Sequence, residues 1–301
     1  MPSVPPPAAP PQSPPPQSPL PGDEPAASGR GADEPPWPVW AAPAAIAVGF
    51  GFGIIFSIIV GVIAKAGGSS LTNPTPAVSL ISDFLFDAAF VGAALYLARV
   101  QGGRVRAGDF GFRPVRLSLA AGAVIAAAVS YYVISAVYAT LLNLHGSDKL
   151  PKELGVSKST AALVGATVFV CVIAPIAEEL FFRGFIFGAL RRMRIVLAGR
   201  EVGTWVAAVL TGILFGLAHT GSASSQYLIP LGFLGFVLCI VRWRTRSLYP
   251  CMALHSINNS LALGISQLHW NAGEVVALMV GAVGVIAVLT APLARQAPAA
   301  A

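Results

Sequence analysis

The sequence predicts an all-α fold: a polytopic bundle of about eight transmembrane helices, preceded by a disordered, proline-rich N-terminal tail. Three observations lead to this prediction. The chain is 55 % hydrophobic and only 11 % charged, whereas soluble domains carry about 25 % charged residues. Its apolar residues form eight stretches, each near the length that crosses a bilayer. Fifteen of the first forty residues are proline, and such a segment cannot bury a hydrophobic core.

Eight apolar stretches separated by short polar loops follow the tail. Glycine and proline are frequent in them, as is common in membrane helices. The stretches are predicted at residues 39–64, 78–99, 117–143, 160–190, 203–219, 225–241, 247–268 and 273–293.

The loop charges predict the orientation of these helices. Arginines cluster after the second, fourth and sixth stretches, and a basic excess marks the cytoplasmic side of a membrane. The only lysines and arginines in the loops on the opposite side are Lys65, Lys149, Lys152 and Lys158. We therefore expect a multi-pass protein of the cell membrane with both termini in the cytoplasm. The net charge of +6 then reflects topology and does not indicate a nucleic-acid partner.

Two adjacent glutamates lie in the middle of the fourth stretch, Glu178 and Glu179, and Arg183 follows them. Ionisable groups at bilayer depth cost several kcal/mol unless they are paired or lie in a polar cavity, so they indicate a functional site. Residues four apart share a helix face, which predicts an ion pair between Glu179 and Arg183. Glu178 points elsewhere and is the better candidate for a general base.

Two later stretches carry further polar side chains. The fifth ends in Phe215-x-x-x-His219, and the seventh contains His255-x-x-x-Asn259. His255 and Asn259 are four residues apart, so we expect both to face one cavity. Counted along the helices from their cytoplasmic ends, Glu178, His219, His255 and Asn259 lie at depths of about 14–24 Å in the membrane. Polar groups from three helices therefore converge at similar depths, as an intramembrane active site requires.

A further pair of carboxylates, Asp83 and Asp87, lies four residues apart in the second stretch. These side chains could serve a proton path or could form hydrogen bonds between helices. We expect the structural role.

In this order, the three motifs resemble those of the CPBP family of intramembrane proteases, which includes the type II CAAX prenyl endopeptidases and bacteriocin-processing enzymes. The resemblance covers roughly residues 160–265. It divides the chain into a cytoplasmic tail (1–38), N-terminal transmembrane helices (39–159), a protease core (160–265), and a last helix with the C-terminal tail (266–301).

The resemblance also implies roles for the site residues. The catalytic residues would be Glu178, His219, His255 and Asn259. The supporting residues would be Glu179, Arg183 and Phe215. Glu178 and His219 would activate water, while His255 and Asn259 would hold or polarise the scissile carbonyl.

The resemblance thus implies an intramembrane endopeptidase whose partners are the lipid bilayer and a membrane-associated protein or peptide substrate. Its water could be activated by glutamate alone or by zinc, with Glu178, His219, His255 and Asn259 as candidate ligands. The HExxH signature of many zinc proteases is absent, and the sequence leaves the cofactor open.

Two other classes of protein compete with this interpretation. The first is a non-catalytic membrane scaffold or immunity protein of the same fold. The second is a transporter that uses Glu178 and Asp87 as a proton relay. A transporter of that kind predicts repeated halves, and the motifs occur only in the second half of the chain.

Overall fold

A computed structural model describes residues 35–143 and 153–295. The proline-rich tail, for which we predicted disorder, lies outside the described residues up to position 34. The regular secondary structure of the described residues is helical apart from one short antiparallel hairpin, which confirms the all-α prediction.

The described ranges contain nine helices and two short strands. The helices are α1 (Ala41–Ala66), α2 (Pro76–Gly102), α3 (Ala107–Phe110), α4 (Leu117–Leu141), α5 (Thr160–Leu190), α6 (Gly203–Ala218), α7 (Leu228–Thr245), α8 (Tyr249–Leu261) and α9 (Ala272–Ala294). The strands are β1 (Val196–Leu197) and β2 (Arg200–Glu201). A 3₁₀ turn over Ser225–Tyr227 leads into α7, and a π-helix over Ala262–Gln267 extends α8.

Each of the eight apolar stretches corresponds to one helix, and α3 is an additional helix of four residues. Six helices are long and apolar enough to cross a membrane, namely α1, α2, α4, α5, α7 with its preceding 3₁₀ turn, and α9. Helix α6 has only 16 residues, or about 24 Å, which is shorter than the bilayer core of about 30 Å. Helix α8 carries several polar side chains, including His255 and Asn259. The prediction of about eight spans therefore corresponds to six helices of full length and composition and two atypical ones.

Helix α5 is not a regular α-helix. It turns into a π-helix at Phe169–Ile173, returns to α geometry at Ala174–Glu178, and is again π-helical at Glu179–Ile186. Pro175 lies between the two π segments and has no N–H to donate to the preceding turn. Such π segments occur often at functional sites. The two glutamates lie where the second π segment begins.

The broken hydrogen-bond pattern of α5 fixes the position of α8. The carbonyl of Cys171, four residues before Pro175, accepts a hydrogen bond from Ser256 Oγ at 2.7 Å. The carbonyl of Val170 accepts one from Asn259 Nδ2 at 2.9 Å. Buried carbonyls need a partner, so polar side chains of α8 satisfy the carbonyls near this proline.

Helices α6 and α7 pack through glycines. A Cβ atom on Gly216 would lie 2.5 Å from the carbonyl oxygen of Leu228 and 2.9 Å from the nitrogen of Gly232. A Cβ on Gly212 would lie 2.7 Å from the Gly232 oxygen. Small residues let membrane helices approach closely. This contact therefore fixes the end of α6, where His219 lies.

The packed part of the chain begins before α1. Trp37 is fully buried, stacks on Phe185 at 4.8 Å and donates a hydrogen bond to the Phe185 carbonyl at 3.3 Å. Arg192 in turn donates to the Trp37 carbonyl at 2.6 Å. Burial of this indole therefore anchors the chain ahead of the first helix.

Candidate active site

Three of the predicted site residues form a buried ionic network. Oε1 of Glu179 accepts hydrogen bonds from Nη1 of Arg183 at 2.7 Å and from Nδ1 of His255 at 2.8 Å. Glu179 and Arg183 are fully buried, and His255 is nearly so. Arg183 Nη2 also donates to the carbonyl of Gly235 at 3.3 Å. The predicted pair of Glu179 and Arg183 is therefore present, and it links α5 to α7 and α8.

Phe215 of α6 completes this network through its ring. The guanidinium carbon of Arg183 lies 4.1 Å from the centroid of the Phe215 ring, within the range of a cation–π contact. The imidazole of His255 lies 5.6 Å from the same ring, edge to face. Phe215 thus covers the guanidinium of Arg183 and the imidazole of His255, which both bond to Glu179. It joins α6 to α5, α7 and α8.

A cavity of about 250 Å³ lies beside this network. Its polar lining includes Glu178 from α5, His219 from the end of α6, and Asn259 from α8. Apolar and aromatic side chains from α4 and α7, including Tyr131 and Leu231, form part of the remaining wall. The cavity therefore brings together a carboxylate, an imidazole and an amide from three helices, as the sequence predicted for these three residues.

The hydrogen bond of His219 determines which ring nitrogen carries its proton. Nδ1 lies 2.8 Å from the carbonyl oxygen of Phe215. A carbonyl only accepts, so Nδ1 is the protonated nitrogen and Nε2 carries the lone pair of the neutral ring. Ser222 donates to the backbone carbonyl of His219 at 3.2 Å and fixes the turn after α6. The imidazole can therefore accept a hydrogen bond through Nε2.

Asn259 is held by hydrogen bonds on both ends of its amide. Its Nδ2 donates to Val170, as described above, and its Oδ1 accepts from Asn258 Nδ2 at 3.3 Å. An amide nitrogen has two hydrogens, so one N–H of Asn259 remains for a group in the cavity. Tyr132 donates to Asn258 Oδ1 at 3.2 Å and extends this arrangement to α4.

His255 is placed differently from the expectation that it shares a cavity with Asn259. It does not line the cavity and instead bonds to Glu179. Residues four apart differ by about 40° around a helix, and here that angle separates a buried network from a cavity. A charged carboxylate such as that of Glu179 is a stronger hydrogen-bond acceptor for the imidazole than a neutral group.

Sequence reasoning missed other residues that line the cavity. We did not assign Ser222, Tyr227 or Asn258 to the site, and the structure places all three on its wall. Tyr131 also lines it, and its hydroxyl in the middle of an apolar stretch was the one signal that could have found it.

The four candidate zinc ligands are not arranged as a metal site. His255 lies in the buried network with Glu179 and does not line the cavity that Glu178, His219 and Asn259 share. Within residues 35–143 and 153–295, no group of three or more His, Cys, Asp or Glu side chains could hold a metal ion together. The four candidates are therefore divided between two places in the fold and do not form one four-ligand zinc site.

Taken together, the helices and the cavity define a multi-pass membrane protein with a polar site in its helical core. Comparison with known families finds a match for part of the chain. Residues 160–261 match the family described as type II CAAX prenyl endopeptidase Rce1-like. All three motifs lie inside this range, so the resemblance predicted from them is confirmed there.

A more distant similarity extends to a curated bacterial protein. The UPF0177 protein YxdF of Lactococcus lactis subsp. lactis (strain IL1403) is 32 % identical over 88 residues, which cover 29 % of this chain and 42 % of YxdF. The chain thus spans less than half the length of this curated relative. No solved structure matches the chain.

Proposed function

We propose that this protein is an intramembrane endopeptidase that hydrolyses a peptide bond of a membrane-associated protein or peptide. The single observation that carries the proposal is the cavity on which Glu178, His219 and Asn259 meet from three helices. The match of residues 160–261 to an endopeptidase family supports the same reaction class. Both termini lie in the cytoplasm in this proposal, in accordance with the arginine-rich loops.

Glu178 is the general base of the proposed reaction. It accepts a proton from water while the water oxygen bonds to the scissile carbonyl carbon. When the C–N bond breaks, Glu178 returns this proton to the leaving amine nitrogen. The other product is the new carboxyl group, so atoms and charges balance without a metal ion.

His219 and Asn259 assist at two points of the same reaction. Nε2 of His219 accepts a hydrogen bond from the attacking water, because Nδ1 is committed to Phe215. The free N–H of Asn259 donates to the carbonyl oxygen as it becomes negative. A preorganised donor of this kind contributes about 2.7–4 kcal/mol to transition-state stabilisation.

The buried network gives His255 a role different from the one that the family resemblance implied. In this proposal His255 does not touch the substrate. Together with Glu179, Arg183 and Phe215, it holds α5, α6 and α8 in register, so that the three cavity residues keep their relative positions. We therefore regard His255 as a positioning residue.

Replacement of the proposed base tests the function. Glu178→Gln keeps the shape of the side chain but removes the base, and we expect peptide cleavage to be lost while folding and membrane insertion are retained. Comparative proteomics of membranes from cells carrying either form should reveal candidate substrates, which are then tested with purified, detergent-solubilised protein. Glu201→Gln on the exposed β2 strand is the matched control and should cleave normally.

Either of two results would contradict the proposal. Cleavage that persists in purified Glu178→Gln would remove Glu178 from the mechanism. Identical membrane proteomes for the intact protein and the variant, together with equal levels of folded protein, would favour a non-catalytic scaffold.

A further inference from the structure

Helix α2 brings a buried carboxylate to the back of the proposed site. Helix α2 packs against the Ala174–Glu178 segment of α5, and Asp87 of α2 is only 7 % exposed. Its Oδ2 atom is buried and has no hydrogen-bond partner. A buried polar atom left unsatisfied is costly, so this position requires an explanation that packing alone does not supply.

Glu178 has a matching unsatisfied atom. Its Oε2 is also buried and without a hydrogen-bond partner, although the residue as a whole borders the cavity. Phe90 and Phe181, each three residues beyond Asp87 and Glu178, stack on each other with ring centroids 4.3 Å apart, and the two carboxylates are near enough to interact electrostatically. The two unsatisfied oxygens therefore belong to neighbouring side chains on opposite sides of one helix contact.

Two ionised carboxylates cannot satisfy each other, because both only accept hydrogen bonds. Close like charges in a poorly solvated site cannot both remain ionised, and one proton shared between them removes the conflict. The result is an O–H···O⁻ hydrogen bond, which belongs to the strong, charge-assisted class. A single proton thus satisfies both unsatisfied oxygens.

The surroundings decide which of the two residues carries the proton. The charged groups that act on Asp87 are Glu178 across the helix contact and Asp83 on its own helix, and both are acidic. Glu178, by contrast, borders a cavity that can admit water. Water solvates the charge on Glu178 better than the helix contact solvates a charge on Asp87, so the proton belongs on Asp87.

We propose that Asp87 is a positioning residue for the catalytic carboxylate: in its protonated form it donates its O–H to Oε2 of Glu178 and leaves Oε1 to face the water. This inference rests on the proposed role of Glu178 as the base. It gives Asp87 a part in the reaction beyond the interhelical contact expected from its spacing with Asp83.

Asp83 provides a matched control on the same helix. It lies one turn before Asp87 and lines a separate pocket of about 210 Å³ with Glu153 and several serines. It is only partly buried, so water and hydroxyl groups can solvate it. Asp83→Asn should therefore lower cleavage far less than Asp87→Ala does.

The first test compares two replacements of Asp87 in the full-length protein in detergent. Asp87→Ala removes the donor, and we expect kcat to fall about 10- to 100-fold, the effect of one hydrogen bond to a charged group, with little change in KM. Asp87→Asn keeps an N–H donor at the same position and should restore most of the lost activity. An Asn variant that is as impaired as the Ala variant, while melting like the intact protein, would overturn the proposal.

The second test does not depend on proteolysis. Infrared difference spectra between the intact resting protein and Asp87→Asn should show the loss of a C=O stretching band of a protonated carboxyl group. The absence of such a band would mean that Asp87 is ionised and would overturn the proposal. If the band is lost but Glu178→Gln still cleaves peptides, the shared proton is supported and the proposed role of Glu178 as the general base is refuted. The two ideas therefore fail separately.

Discussion

Removal of the Arg183 guanidinium is the sharpest test of the buried network. Arg183→Met leaves the fully buried Glu179 carboxylate with one donor, His255 Nδ1, in place of two. The variant also loses the donation to Gly235 and the contact with the Phe215 ring. Breaking a buried ion pair by removing one partner costs about 3–5 kcal/mol. We therefore expect the free energy of unfolding to fall by about that amount.

A double-mutant cycle separates the pair from simple loss of packing. Glu179→Gln removes the charge that Arg183→Met strands, so the double variant should be more stable than the sum of the two single losses predicts. For groups in direct contact we expect a coupling of about 0.5–3 kcal/mol. The measurement is denaturant- or heat-induced unfolding of the detergent-solubilised protein, with cleavage followed in parallel.

An arginine outside the network provides the control. Arg104 lies exposed in the loop after α2, and Arg104→Met should change stability by no more than about 0.5 kcal/mol. Single losses that simply add in the double variant would refute the idea that Glu179 and Arg183 stabilise each other directly.

Three further predictions concern packing, topology and metal. Gly216→Leu would force a side chain into the backbone of α7, so it should lower both stability and cleavage in melting and activity assays. Gly122 faces open space, and Gly122→Leu should lower neither. Equal losses in the two variants would contradict the glycine contact. Single cysteines at Ser70 and Arg104, in a background without native cysteines, should react with impermeant reagents from opposite sides of the membrane, and labelling of both from outside would refute the orientation. Cleavage should survive exhaustive chelation, and activity that is lost on chelation and restored by stoichiometric zinc would contradict a glutamate-only mechanism.

The sequence by itself determined the properties that depend on local pattern. Long apolar stretches have no soluble alternative, so helix positions followed from length and hydropathy. The four-residue spacing of Glu179 and Arg183 predicted their ion pair, because that spacing fixes proximity on any helix of this kind. The family resemblance rests on the three motifs, and these motifs also indicated Glu178, His219 and Asn259 as candidate site residues.

Only the tertiary structure decided how these residues divide between network and cavity. His255 and Asn259 have the same spacing as Glu179 and Arg183, yet they lie in different environments. The reason is that Pro175 leaves carbonyls of α5 for α8 to satisfy, and Asn259 is committed to one of them.

The partners of Trp37 and Asp87 likewise became known only from the fold. Trp37 donates to a carbonyl 148 positions away along the chain, and Asp87 approaches Glu178 across a contact between α2 and α5. Neither contact follows from a local repeat, because each depends on how distant helices cross. A one-dimensional pattern identifies a polar residue that needs a partner in the membrane, and the packing of the helices decides which partner it receives.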